Sequence, residues 1–153
     1  MLLIMETELV TIPLDVFKQA ASVTCSFLVL MVACLTAQAA ARIKHAVIAL
    51  RQGQQYERPR DLALIPYDRT VGNLIEWALP FLGFFWISII LTHGATANVA
   101  WFYVACRALY PFVAVGLGGV AYEGPRPIII TVTWPAYGAL IMMAVSAIKA
   151  LLV

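Results

Sequence analysis

The chain has 153 residues, of which 63% are hydrophobic and 12% charged, with a formal net charge of +2 and a mean hydropathy of +0.89. Soluble domains run at roughly 45–50% apolar and about 25% charged residues, so a water-exposed globule is excluded and lipid is the expected solvent. So small a net charge gives no basis for a nucleic-acid partner.

The N-terminus begins Met1-Leu2-Leu3-Ile4-Met5 and turns acidic at Glu6 and Glu8, without the basic flank of a cleavable signal peptide. From Ala20 to Ala41 no residue carries a formal charge, which meets the length of about 20 residues that a spanning helix needs. Arg42, Lys44 and His45 end this run on a basic edge. Between Arg42 and Gln55 the only breaker is Gly53, so the first helix is expected to continue out of the membrane. Pro59 and Pro66 then shape the return to a second span over 71–91, which contains Glu76. His93-Gly94 reads as a tight turn, and a third span over 95–120 is interrupted only by Arg107. The run Tyr122-Glu123-Gly124-Pro125-Arg126-Pro127 is a loop dense in breakers. A fourth span, 128–148, ends before Lys149 and carries Pro135 within it.

No linker divides residues 1–153, which are therefore read as one all-α transmembrane domain. Short connections make neighbouring helices antiparallel, giving an up-down four-helix bundle. The first connection, 42–70, holds Arg42, Lys44, Arg51, Arg58, Arg60 and Arg69; the loop 121–127 holds Arg126, and the turn at His93 holds no Lys or Arg. Basic loops face the cytoplasm, so loops 42–70 and 121–127 are expected there and both termini opposite, in a membrane that the sequence does not name. The same basic collar suits anionic lipid headgroups. Cys25, Cys34 and Cys106 lie in apolar runs without paired spacing, so neither a metal site nor a disulfide framework is indicated. His45 and His93 fall on opposite sides of the membrane in this topology. The four tryptophans read as interfacial anchors or packing.

Charge inside a span costs roughly 2.5–3.5 kcal/mol per residue on insertion scales and marks a pair or a function. Arg69, Asn73, Glu76 and Pro80 are spaced i, i+4, i+7 and i+11, one stripe of a helix at about 100° per residue. Arg107 and Tyr110 are i, i+3 and share a face of the third helix, and Arg107 is expected at a depth similar to that of Glu76. Two readings stay open on these residues. One is a buried Glu76–Arg107 ion pair, supported by Asn73, that holds helices in register. The other is a polar pocket for an anionic, hydrogen-bonding ligand, in which the arginine forks take carboxylates.

At these residues the chain resembles the MAPEG family, the membrane-associated proteins in eicosanoid and glutathione metabolism. Arg69-Thr-Val-Gly-Asn73-Leu-Ile-Glu76 is similar to the family's Arg-x3-Asn-x2-Glu signature, followed by Pro80-Phe81. Arg107-Ala-Leu-Tyr110 resembles the Arg-x2-Tyr of its third helix, and Arg126 stands before the fourth helix where catalytic members carry an arginine. The chain departs from the pattern at Ala114, where the family usually has a second tyrosine. Pro80 comes one residue later than in members, and the segment from Tyr110 to Arg126 is longer than in the compact ones.

The resemblance implies a homotrimer with glutathione as co-substrate between adjacent subunits. Arg69, Asn73, Glu76, Arg107 and Tyr110 would hold it, and Arg126 would be the catalytic residue beside its sulfur. The implied activity is that of a membrane-bound transferase or peroxidase acting on lipophilic electrophiles or lipid hydroperoxides. The alternatives are a non-catalytic relative that binds lipid or scaffolds partners, and a structural subunit of a larger membrane complex.

Overall fold

The structure is a computed structural model that describes residues 12–57, 61–121 and 123–152. The readings above that concern residues 1–11, Arg58, Pro59, Arg60 and Tyr122 lie outside the described residues. Four helices dominate: α1 (Leu14–Arg51), α2 (Ile65–Leu91), α3 (Ala97–Pro111) and α4 (Ile130–Leu152). Counting their short flanking turns, all four are long and apolar enough to cross a membrane. In sequence order they run alternately up and down, as short connections require.

At about 1.5 Å per residue α1 is about 57 Å long, well beyond the roughly 30 Å hydrocarbon layer. Its last turns, from Arg42 to Arg51, therefore extend past the bilayer core, and the helix ends at Gln52 and Gly53, the latter at φ 69°. Two contacts tie this extension back to the start of α2. His45 Nδ1 pairs with Asp61 Oδ2 at 2.8 Å, while Asp61 Oδ1 accepts the Ala63 N–H at 3.2 Å and caps a short 3-10 turn. Arg42 Nη2 and Gln38 Nε2 each donate to Asp68 Oδ1 at 2.6 Å.

α2 begins at Ile65, six residues earlier than the uncharged stretch indicated, because Pro66 in the first turn and the Asp61 cap start a helix that Asp68 and Arg69 do not interrupt. At its far end His93 (φ 48°) and Gly94 (φ 93°) reverse the chain. A Cβ on Gly94 would stand 3.1 Å from Val16 Cγ2, so this turn packs against the first turn of α1. Beneath it Ser88 Oγ donates to the Phe85 carbonyl and meets Thr96 Oγ1 at 3.0 Å, which satisfies hydroxyls buried away from water.

The third helix is shorter than its hydropathy suggests. Pro111 withholds an N–H, the chain widens into a π turn over Phe112–Gly116, and residues 117–119 are no longer helical. A two-residue antiparallel hairpin follows, β1 (Val120–Ala121) with β2 (Gly124–Pro125). Gly119 is a requirement of this corner. Its N–H donates to the Val113 carbonyl at 2.8 Å, and a Cβ there would lie 2.7 Å from that same oxygen.

The core is aromatic at its centre. Phe81 of α2 stacks on Tyr103 of α3 at 4.2 Å and on Phe85 at 5.7 Å, and Phe27 of α1 tilts against it at 4.8 Å. All four rings are fully buried, so α1, α2 and α3 are locked together by ring packing where lipid offers no hydrophobic drive.

Candidate functional site

The polar stripe read from the sequence faces a cavity of about 600 Å³ between α2 and α4, at the end of the bundle that carries the hairpin. One wall is α2, with Asp68, Arg69, Asn73 and Glu76. The facing wall is α4 and the turn before it, with Ile129, Ile130, Thr133 and Trp134. Val120 and Pro125 of the hairpin and Tyr110 of α3 complete the lining. The cavity is thus polar on one side and largely apolar on the other.

Of the six site residues expected from the sequence, Arg69, Asn73, Glu76 and Tyr110 line this space. Arg107 does not. It is 1% exposed and lies behind the lining, where its Nη1 donates to Asn73 Oδ1 at 2.5 Å. Its guanidinium carbon sits 5.0 Å from the Tyr103 ring centroid and 5.4 Å from that of Tyr137. The Glu76–Arg107 ion pair of the first reading does not form, and among the described residues Glu76 makes no ion pair. Its side chain and that of Arg69 are exposed on the single chain.

Arg126 is the residue the fold holds apart. It is extended (φ −81°, ψ 155°), its N–H donates to the Gly119 carbonyl at 2.8 Å, and it caps the 3-10 turn Pro127–Ile129. It follows Pro125 of the lining directly. Its side chain is exposed, with Nη1 3.6 Å from where a Gly118 Cβ would be. Ala114, at the position of the expected second tyrosine, is fully buried with Tyr110, Val120, Ile129 and Val132, so the neighbouring side chains already fill that space.

The α4 wall and the hairpin residues had no signature in the sequence, since they join the site only through tertiary packing. One signal was present and unused. Pro80 and Pro111 each follow a site residue, Glu76 and Arg107, by four positions. A proline there removes the N–H that would bond the carbonyl of residue i−4, so the Glu76 and Arg107 carbonyls lack that intrahelical donor.

Asp68 links the site to α1. Its Oδ1 takes both the Arg42 and the Gln38 donor, so the α2 turn carrying Arg69 is braced by the neighbouring helix. A second cavity, of about 450 Å³, lies on another face of the bundle, lined by Cys34 and Ala37 of α1, Thr70 of α2 and Phe112 and Val115 after α3.

Comparison with known proteins places residues 20–146 within one family model, that of the MAPEG family. No protein of curated function and no solved structure matches the chain.

Proposed function

The chain belongs to the MAPEG family, and from that premise we propose that this integral membrane protein is a glutathione-dependent transferase or peroxidase. Its substrates are lipophilic electrophiles or lipid hydroperoxides. The observation that carries the reading is the two-sided cavity, with Arg69, Asn73, Glu76 and Tyr110 along one side and Ile129, Ile130 and Trp134 along the other. Glutathione has two carboxylates, an ammonium and amides. Arg69 suits a carboxylate, Glu76 the ammonium, and Asn73 and Tyr110 the hydrogen bonds between them. The apolar wall suits a partner arriving from the lipid.

A thiol of pKa about 8.5 is mostly protonated at neutral pH, and a neighbouring guanidinium favours the thiolate. Arg126, beside the cavity, is the candidate for that role. In conjugation the sulfur lone pair forms the new bond to carbon, the displaced group leaves with its electrons, and the thiol proton passes to solvent. In peroxide reduction the thiolate attacks one oxygen of the hydroperoxide, the O–O bond breaks and the alcohol leaves with a proton from solvent. The sulfur is left as a sulfenic acid, from which a second glutathione displaces water to form the disulfide.

On a single chain the Glu76 and Arg69 side chains are exposed within or at the edge of the span. Each such charge is costly against lipid, which favours further copies of the chain covering this face in a homotrimer. The basic end of the bundle, with Arg42, Lys44, Arg51 and Arg126, faces the cytoplasm in this reading. A second reading, a non-catalytic member that binds lipid, draws support from Ala114. The catalytic pattern has a hydroxyl there, and the fold leaves no room for one.

Purified protein mixed with glutathione and a halonitroarene separates the two readings. Conjugate forming above the uncatalysed rate, and lost in Arg126→Ala, supports the enzyme. Glutathione bound without turnover, whatever the electrophile or hydroperoxide, supports the second reading.

A further inference from the structure

The geometry points to Arg107 as a positioning residue, clamped between the rings of Tyr103 and Tyr137. It holds the Asn73 amide with its oxygen inward, so that the NH2 faces the cavity and Asn73 serves as a dedicated donor.

Guanidinium has five N–H donors and no acceptor. One of them meets Asn73 Oδ1. Turning the amide over would set its NH2 against another N–H, two donors facing each other, so the chemistry of the pair selects one orientation. The Asn73 oxygen is then committed to the protein interior, and its two amide hydrogens are left for what occupies the cavity that Asn73 lines.

What fixes the guanidinium is a ring clamp with both ends anchored on α2. Tyr103, one helical turn before Arg107 on α3, stacks on Phe81 at 4.2 Å and 12°. Tyr137 of α4 packs on Trp77 at 4.6 Å. Asn73, Trp77 and Phe81 are spaced i, i+4 and i+8 and share one face of α2. The clamp therefore starts from the helix that carries the amide, crosses to α3 and α4, and returns to that amide through Arg107.

Among the described residues, Nε and Nη2 of Arg107 have no hydrogen-bond partner. The two ring faces lie beside the guanidinium instead, and a buried cation over a ring is held more strongly than one at a surface. An ion pair with Glu76 would satisfy the cation equally well and would also take the carboxylate out of the cavity. By holding Arg107 on rings and on one amide oxygen, the fold keeps both the Glu76 carboxylate and the Asn73 NH2 for a ligand. The identity of that ligand as glutathione rests on the function proposed above; the clamp itself does not.

Two measurements test the clamp. Asn73 and Asn98 are the only asparagines in the chain, so protein labelled with 15N-asparagine has two side-chain amide pairs. Tyr137→Leu, which removes the ring, is expected to move the Asn73 pair and leave the Asn98 pair in place. Tyr137→Phe, which keeps the ring, restores the native positions. For binding, Tyr137→Leu weakens glutathione about tenfold, Tyr137→Phe recovers the affinity, and in an Asn73→Ala background Tyr137→Leu adds nothing further.

An unmoved Asn73 pair in Tyr137→Leu overturns the clamp. So does an equal loss of affinity with and without Asn73, the sign of a merely structural ring. If Tyr137→Leu does not fold, Arg107→Lys takes its place, and an unmoved Asn73 pair there overturns the clamp equally. If the native protein does not bind glutathione, the proposed function fails, and the amide spectra alone decide the clamp.

Discussion

Replacing Glu76 with glutamine separates a ligand-binding carboxylate from a structural one, because the two side chains have nearly the same shape. Glu76 lines the cavity, is exposed on the single chain and makes no ion pair among the described residues. Its charge therefore has no ion-pair partner among the described residues to lose. A hydrogen bond to a charged group contributes about 1.5–3 kcal/mol, and every 1.4 kcal/mol is about tenfold in affinity. Glu76→Gln should then weaken glutathione binding by roughly ten- to a hundredfold. Thermal unfolding in detergent and the oligomer size should stay as in the native protein. Breaking a buried ion pair costs about 3–5 kcal/mol instead, which would appear as lost stability or lost assembly. Titration calorimetry with glutathione, run beside a thermal melt, reads both quantities. Unchanged affinity in a protein that has lost stability or assembly would refute the reasoning.

Other parts of the account have their own tests. Gly119→Ala places a Cβ 2.7 Å from the Val113 carbonyl and 3.3 Å from Ile128 Cγ2. Overpacking of this kind costs about 1–3 kcal/mol, so the melting temperature should fall and glutathione affinity should drop as Val120 and Pro125 shift. Phe81→Ala removes the ring shared by Phe27, Phe85 and Tyr103, and a cost of about 3–5 kcal/mol is expected from a melt. In a background without the native cysteines, Gln54→Cys and Ala95→Cys lie at opposite ends of the bundle and are both exposed. An impermeant maleimide applied to sealed vesicles should label one and spare the other, and equal labelling would contradict the four-span topology.

The bundle was legible because its signal is compositional: four apolar runs separated by short polar breaks leave few other uses for the chain. One wall of the cavity was legible for a geometric reason. Arg69, Asn73 and Glu76 recur at helical spacing, so they share a face whatever surrounds them. The opposite wall was not, since Ile130, Thr133 and Trp134 look like ordinary span residues until α4 packs against α2. Periodicity also could not choose the partner of Arg107. Asn73 and Glu76 are one turn apart on the same stripe, and the choice of Asn73 is made by Tyr103 and Tyr137, which come from two different helices. The end of α3 was misplaced because Phe-Val-Ala-Val-Gly-Leu after Pro111 is as apolar as the helix before it. Hydropathy ran on to Val120, past the end of the π turn at Gly116.

If Arg126 draws glutathione to its thiolate in this site, the thiolate's ultraviolet absorbance reports the step. Glutathione added to the purified, folded protein at neutral pH should produce the thiolate band, and the band should vanish in Arg126→Ala while that variant stays folded. A native protein that binds glutathione and gives no band, or a band that Arg126→Ala leaves intact, would contradict the account.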